Sequence, residues 1–308
     1  MKFQSRDGEI LQSIYENQGV LAKRHLKQMF WADKSLRAME VRLSKLYQEA
    51  YISWPDKEQH KTNPIPEPIC WLGWKGILFI AGDLKKVVPP LKTVNENQLR
   101  LLQKNLRNQG INWVREPRWS LLNHDLMLID LKLQIQKEIK ENPRYSLENW
   151  KYDGVFRSDP DLVTYDVRDR EGGLRRMKKR VLPDAYFEII DLDRQKSQEN
   201  FKGRILLELD MSTHDNPSFG MEKIAPGVAY IKSQAYKTRF GDNRGIWLII
   251  TNGGNIRLRN LMKQAENYAG EDSRRFYFTS IKEGLPDALF NFPIWKQVGE
   301  EDLKALLE

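Results

Sequence analysis

The stretch "LPDAYFEIIDLDRQKSQENFKGRILLELD", Leu182 to Asp210, places acidic residues where two strand-like runs should be apolar. Asp184 heads the first run, and Glu208 and Asp210 close the second. Side chains alternate across a strand, so Glu208 and Asp210 share one face while Leu207 and Leu209 share the other. A carboxylate set into an apolar run is unfavourable unless something compensates it. If the two runs pair as an antiparallel hairpin, Asp184 approaches Glu208. Carboxylates held together repel, and a hard divalent cation, Mg²⁺ or Mn²⁺, relieves that repulsion. Such an ion activates water and stabilises charge on a phosphodiester. The expected metal ligands are Asp184, Glu208 and Asp210, and Lys223 lies on the following helix. The bland alternatives are a turn cap for Asp184, a buried ion pair for Glu208, a strand end for Asp210 and a solvated helix face for Lys223.

Basic residues surround these acids. "RDREGGLRRMKKR", Arg168 to Arg180, lies just before Pro183. It reads as a hairpin tip, or as a phosphate clamp through Arg175, Arg176, Lys178 and Lys179. "TNGGNIRLRN" sets two glycines before a helix bearing Arg257 and Arg259, a position that suits a phosphate. It lacks the Gly-Lys-Ser/Thr ending of a P-loop, which argues against an ATPase. His214, in the loop after Asp210, is close enough in sequence to join the acids. His124 is expected to be a packed helix residue.

Composition sets the frame. The chain has 308 residues, 50 Lys and Arg against 42 Asp and Glu, and a formal net charge of +8. That excess favours a polyanionic partner, double-stranded DNA ahead of a membrane surface. The single cysteine, Cys70, excludes an internal disulfide and a cysteine zinc site, and the four histidines are scattered. No stretch approaches the roughly 20 apolar residues of a bilayer span, and no signal peptide is legible, so a cytoplasmic setting is expected.

The elements that must position the chemistry follow from periodicity. Residues 1–82 read as a winged helix-turn-helix DNA-binding domain. Its third helix starts at Ser35, with Leu36, Met39, Leu43, Leu46 and Tyr47 on one face. Lys34, Arg37, Arg42 and Lys45 lie opposite and are the expected phosphate contacts. "YISW" and "ICWLGW" read as wing strands, with "PDKEQHKTNPIPEP" as the tip. Residues 83–118 read as a linker and connecting helix. Residues 119–308 begin with a long helix and continue through "YDGVFR", "DLVTYDVR", "LPDAYFEIIDL", "GRILLELD" and "RGIWLIITN" as strands, with two helical stretches and a last strand "RRFYFTS". That order predicts an α/β layer with a mixed sheet.

Pro183-Asp184 leading one strand and Glu208 on the next resemble the PD-(D/E)xK nuclease core. There a lysine follows the acid by two positions; here Asp210 stands in its place, and Lys223 is the displaced candidate. The order of "WLGWKG", "HDLMLID", "LPDAYF", "LLELD" and a helix with Lys223 and Tyr230 resembles the replication-relaxation family of bacterial plasmids and mobile elements, over roughly residues 5–265. His124 and Asp130 match a His and a polar position of that family, whereas Thr213-His214-Asp215 departs from its Thr-Glu. The resemblance implies a DNA-binding protein of replication and DNA relaxation, with a metal-dependent nuclease-like domain able to nick DNA. One alternative is a non-catalytic replication initiator or transcriptional regulator built on a degenerate nuclease fold. Another is a protein-assembly adaptor serving other mobile-element replication or transfer proteins.

Overall fold

Ile10, Leu11 and Ile14 recur at helical spacing and are fully buried on α1, Ser5–Glu16. The computed structural model describes residues 2–88, 94–168, 173–198, 200–213 and 215–307. It divides into two units, the first ending at Asp130 and the second beginning at Leu131. In the first unit α1 is followed by β1 (Val20–Ala22), α2 (Lys23–Phe30), α3 (Leu36–Gln48), β2 (Ile52–Ser53), α4 (Lys57–Thr62), β3 (Ile69–Leu72), α5 (Trp74–Asp83) and α6 (Glu96–Asn108). The three strands form an antiparallel sheet in the order β1-β3-β2.

Ser35 caps α3, its hydroxyl accepting from the Ala38 N–H at 3.2 Å. Met39, Leu43 and Leu46 bury its inner face, but Leu36 and Tyr47 are 54% and 41% exposed. They lie off that stripe, and Tyr47 stacks on Trp54 with ring centroids 4.0 Å apart. Two expectations need correction. The polar segment between β2 and β3 contains a helix, α4, because Asp56 caps it through the Glu58 and Gln59 N–H groups. The expected strand "ICWLGW" ends at Leu72, and its Trp74 opens α5, where Ile77, Ile80 and Ala81 bury one face.

The long helix α7, Leu122–Glu141, leads along the chain to β4 (Tyr145–Tyr152), α8 (Asp153–Ser158), β5 (Asp161–Arg168), β6 (Leu174–Val181), β7 (Ala185–Asp191) and β8 (Lys202–Asp210). Then come α9 (Asn216–Phe219), a π turn (Gly220–Ile224), α10 (Ala225–Lys232), α11 (Gln234–Phe240), β9 (Ile246–Thr251), α12 (Gly254–Ala269), β10 (Phe276–Ser280) and β11 (Lys296–Gln297). "YDGVFR" was expected to be a strand; only Tyr152 belongs to β4, and Asp153 opens α8. The second unit is α+β, with a mixed six-stranded sheet in the order β11-β10-β9-β8-β7-β4. β7 is antiparallel to β4 and β8, and β9 is parallel to β8 and β10. β5 and β6 pair apart from it as a two-stranded ribbon.

One face of the sheet is apolar through Tyr186, Leu206, Trp247, Ile249, Phe276 and Phe278. They join Ile224, Tyr230 and Ile231 near and on α10, and Leu258 and Leu261 on α12, in a single core. Glu208 and Asp210 follow Leu206 at alternate positions and so point to this helix-covered side. Among the described residues no helix is long and apolar enough to cross a membrane.

Candidate active site: two carboxylates and a lysine

β7 and β8 pair antiparallel with Ala185 opposite Leu207, so Asp184 stands one step earlier, opposite Glu208. The Asp184 N–H donates to the Leu207 carbonyl at 3.0 Å, and its carboxylate accepts from the Leu209 N–H at 2.8 Å. The aspartate at the head of one strand is thus latched to the end of the next. Glu208 is buried, 5% exposed, and makes an ion pair with Lys223. Lys223 feels the charge of both Glu208 and Asp184. Burial opposes the ammonium, but those two carboxylates outweigh it and raise its pKa above the ordinary lysine value. The geometry thus sets the Lys223 ammonium beside both carboxylates.

The local chain sets this lysine's position. Gly220 to Ile224 form a π turn, an irregularity often found at functional sites. Gly220 lets this turn lie close against α12, because a Cβ there would sit 2.5 Å from the Tyr268 ring.

Asp210 is not drawn into this group. Arg257 donates from Nε to its Oδ2 at 2.8 Å and from Nη2 to its Oδ1 at 2.7 Å, and the Thr251 hydroxyl donates at 2.7 Å. Burial pushes the Asp210 pKa up, yet Arg257 and Thr251 hold it below the usual aspartate value. Of the two arginines in "TNGGNIRLRN", Arg257 serves this internal ion pair and Arg259 is exposed. Among the described residues no group of three or more His, Cys, Asp and Glu side chains is gathered to hold a metal ion. The pair Asp184 and Glu208 nevertheless suits Mg²⁺, which is often bound by one or two carboxylates plus water and substrate phosphates.

A comparison with protein families bears on this arrangement. The profile described as replication-relaxation matches residues 11–244, more than half of the chain. The chain belongs to the replication-relaxation family. This membership suggests a role in plasmid or mobile-element replication and relaxation. No curated protein matches the sequence.

Relaxation of DNA by a covalent route needs an accessible nucleophile, and Tyr230 is unsuited to that in this replication-relaxation protein. It is fully buried, its hydroxyl donates to Asp161 at 2.5 Å, and burial followed by Asp161 raises its pKa. Asp130, the polar position noted on the first core helix, accepts from Arg24 at 2.6 and 2.8 Å and contacts His25 at 2.9 Å. His124 is mostly buried and lies 3.5 Å from Asp125. His214 lies outside the described residues.

The DNA-contact candidates divide. On α3 and just before it, Lys34, Arg37 and Lys45 are exposed, whereas Arg42 turns inward to the buried Asp7 of α1. On the ribbon, Arg175, Arg176 and Lys178 are exposed, while Lys179 pairs with Glu222 at 3.1 Å.

Sequence reasoning missed Asp153. It is opposite Asp184 by register, since Tyr152 pairs with Ala185, and its N–H donates to the Asp184 carbonyl at 3.0 Å. Its carboxylate, buried, accepts from Arg157 at 2.8 Å. No alternation marks it, because it opens a helix at a strand's end. The only signal in the sequence is the spacing of Asp153 and Arg157 by four residues.

Proposed function

We propose that this replication-relaxation protein binds double-stranded DNA through its first unit and processes it at Asp184 and Glu208. The observation that carries this reading is the meeting of Asp184, Glu208 and Lys223 at the paired ends of β7 and β8. The order α7, β4, β7, β8, α10, β9, with β9 parallel to β8, supports likeness to the PD-(D/E)xK core. The order α1, β1, α2, α3, β2, β3, with β3 between β1 and β2, supports a winged helix. Lys34, Arg37 and Lys45 then face DNA from α3 and the turn before it.

Asp184 and Glu208 would hold Mg²⁺ or Mn²⁺, which when bound polarises phosphoryl oxygens and lowers the pKa of water. The chain's own contributions are separate. The Leu209 N–H fixes one Asp184 oxygen, and the Lys223 ammonium offers a fixed positive charge where a phosphodiester gathers negative charge. Asp210, engaged with Arg257, keeps the end of β8 against α12 and so acts by positioning.

The test is nicking of supercoiled plasmid in Mg²⁺ or Mn²⁺. Asp184→Ala and Glu208→Ala should abolish divalent-dependent nicking while leaving duplex affinity intact. Persistence of nicking in both variants would remove the site from the reaction. A second reading is a non-catalytic DNA-binding initiator or regulator on a nuclease-like scaffold. It is favoured by the Glu208–Lys223 pair itself, which can serve as a buried structural bridge. Wild-type protein that binds DNA but never nicks it, with either ion, selects that reading.

A further inference from the structure

The ribbon β5–β6 has two unlike faces. Val163, Tyr165, Val167 and Val181 are buried and join the core of α10 and α12, with Met177 packed against it. Tyr165 donates to the Met221 carbonyl at 3.3 Å and Lys179 reaches Glu222 at 3.1 Å, so the inner face is fastened to the π turn that carries Lys223. The outer face follows by alternation: Arg176, Lys178 and Arg180 opposite Asp166, Thr164 and Leu162, all exposed.

Several arginines in this unit are engaged: Arg144, Arg157, Arg194, Arg204, Arg239 and Arg257 all make ion pairs. The side chains of Arg176, Lys178 and Arg180 make neither ion pairs nor hydrogen bonds among the described residues, although their backbones pair with β5. They lie on a firmly anchored strand, with Asp166 opposite Arg176 as the acid facing them across the ribbon. Alternate residues of a strand recur about every 6.7 Å. That step is close to the one between neighbouring phosphates of an extended nucleic-acid strand, so three cations in file match a linear polyanion better than a compact one. Arg180 lies four residues before Asp184 along the chain.

We propose that the outer face of the β5–β6 ribbon binds the sugar-phosphate backbone of a nucleic-acid strand through Arg176, Lys178 and Arg180. Lys179, though adjacent in sequence, belongs to the inner face and its Glu222 pair. The ribbon binds DNA whether or not Asp184 and Glu208 cleave it, and independently of α3. This deepens the DNA-binding reading above by adding a second surface, and its failure is separable from that reading.

The measurement is fluorescence anisotropy of the full chain with a labelled oligonucleotide of arbitrary sequence, single-stranded in one arm and duplex in the other, across a salt series. The background is Lys34→Ala/Arg37→Ala/Lys45→Ala, which removes the exposed cations of α3 and the turn before it. Adding Arg176→Ala/Lys178→Ala/Arg180→Ala should weaken binding roughly tenfold or more and flatten the log–log salt slope by about 2 for single strand or about 3 for duplex. The arm with the larger loss identifies the form of nucleic acid held. A control, Lys237→Ala/Lys263→Ala/Arg274→Ala, removes equal charge from exposed positions elsewhere in the unit. An equal loss in the control would reduce the effect to bulk charge and overturn the proposal, as would an unchanged slope in both arms. Leu162 and Leu174, 51% and 74% exposed on this face, make a lipid surface the rival. Ribbon-dependent binding to phosphatidylserine vesicles without ribbon-dependent binding to either oligonucleotide would also overturn it. A single Lys178→Glu variant, with an unshifted melting temperature, guards against misfolding of the triple variant.

Discussion

Lys223 on the π turn and Glu208 on β8 form an ion pair in which Glu208 is almost wholly buried and Lys223 is about a third exposed. Removing one partner of such a pair strands the other, whereas removing both relieves it. Lys223→Met should therefore destabilise the protein by about 1–3 kcal/mol, less than a fully buried pair because water reaches the lysine. Lys223→Met/Glu208→Gln should recover much of that loss. A urea double-mutant cycle measures the coupling, and additive effects would show that the two groups do not stabilise each other.

Asp210 and Arg257 are a different kind of pair, bidentate and closed to water on the Asp210 side. The folded-state pKa of Asp210 is lowered. Its stabilising contribution is therefore complete above the unfolded aspartate pKa, about 3.9, and is lost as pH falls through the folded value. Asp210→Asn should lower the melting temperature near neutral pH and make its decline below about pH 4 shallower than in the wild type. Parallel curves would mean that Asp210 contributes nothing to acid unfolding.

Glu138 on α7 accepts from three successive backbone N–H groups, Leu289 at 2.7 Å, Phe290 at 2.9 Å and Asn291 at 2.6 Å. A carboxylate buried this way organises the segment after β10 as a helix N-terminus would organise an anion. Glu138→Ala leaves these donors without the carboxylate and should cost about 2–4 kcal/mol. Limited proteolysis should then cut first between Ser280 and Trp295. Unaltered cleavage there would show that the segment holds itself.

Much of this was legible because it rests on alternation and helical spacing. The β7–β8 hairpin could be read from Leu206, Leu207 and Leu209 interrupted by Glu208 and Asp210, whereas Lys223 was singled out only through the resemblance to the nuclease core. Asp210's partner could not be read, because Arg257 lies 47 residues downstream and only the parallel pairing of β8 with β9 brings α12 beside it. The helix α4 hid behind prolines, its Asp56 cap outweighed by breaker residues around it. Arg42 was misleading for a physical reason. A basic residue on the polar side of α3 looks like a DNA contact until the buried Asp7 on α1 is known.

That last residue yields the sharpest separation between fold and function in the first unit. Arg37 is exposed on α3, whereas the Arg42 side chain is 13% exposed and bound to an Asp7 that water does not reach. Arg37→Ala should leave the melting temperature unchanged, weaken duplex binding by about 1 kcal/mol and reduce the salt slope by about 1. Arg42→Ala should do the reverse. Stranding the Asp7 carboxylate should cost about 3–5 kcal/mol of stability, while DNA affinity per folded molecule stays near that of the wild type. Asp7→Asn/Arg42→Met should restore part of the stability if the loss comes from the unpaired charge. Thermal unfolding with anisotropy on the same preparations decides the matter. A fall in affinity with Arg42→Ala at conserved melting temperature would return Arg42 to the DNA surface and mean that its contact with Asp7 opens when DNA binds.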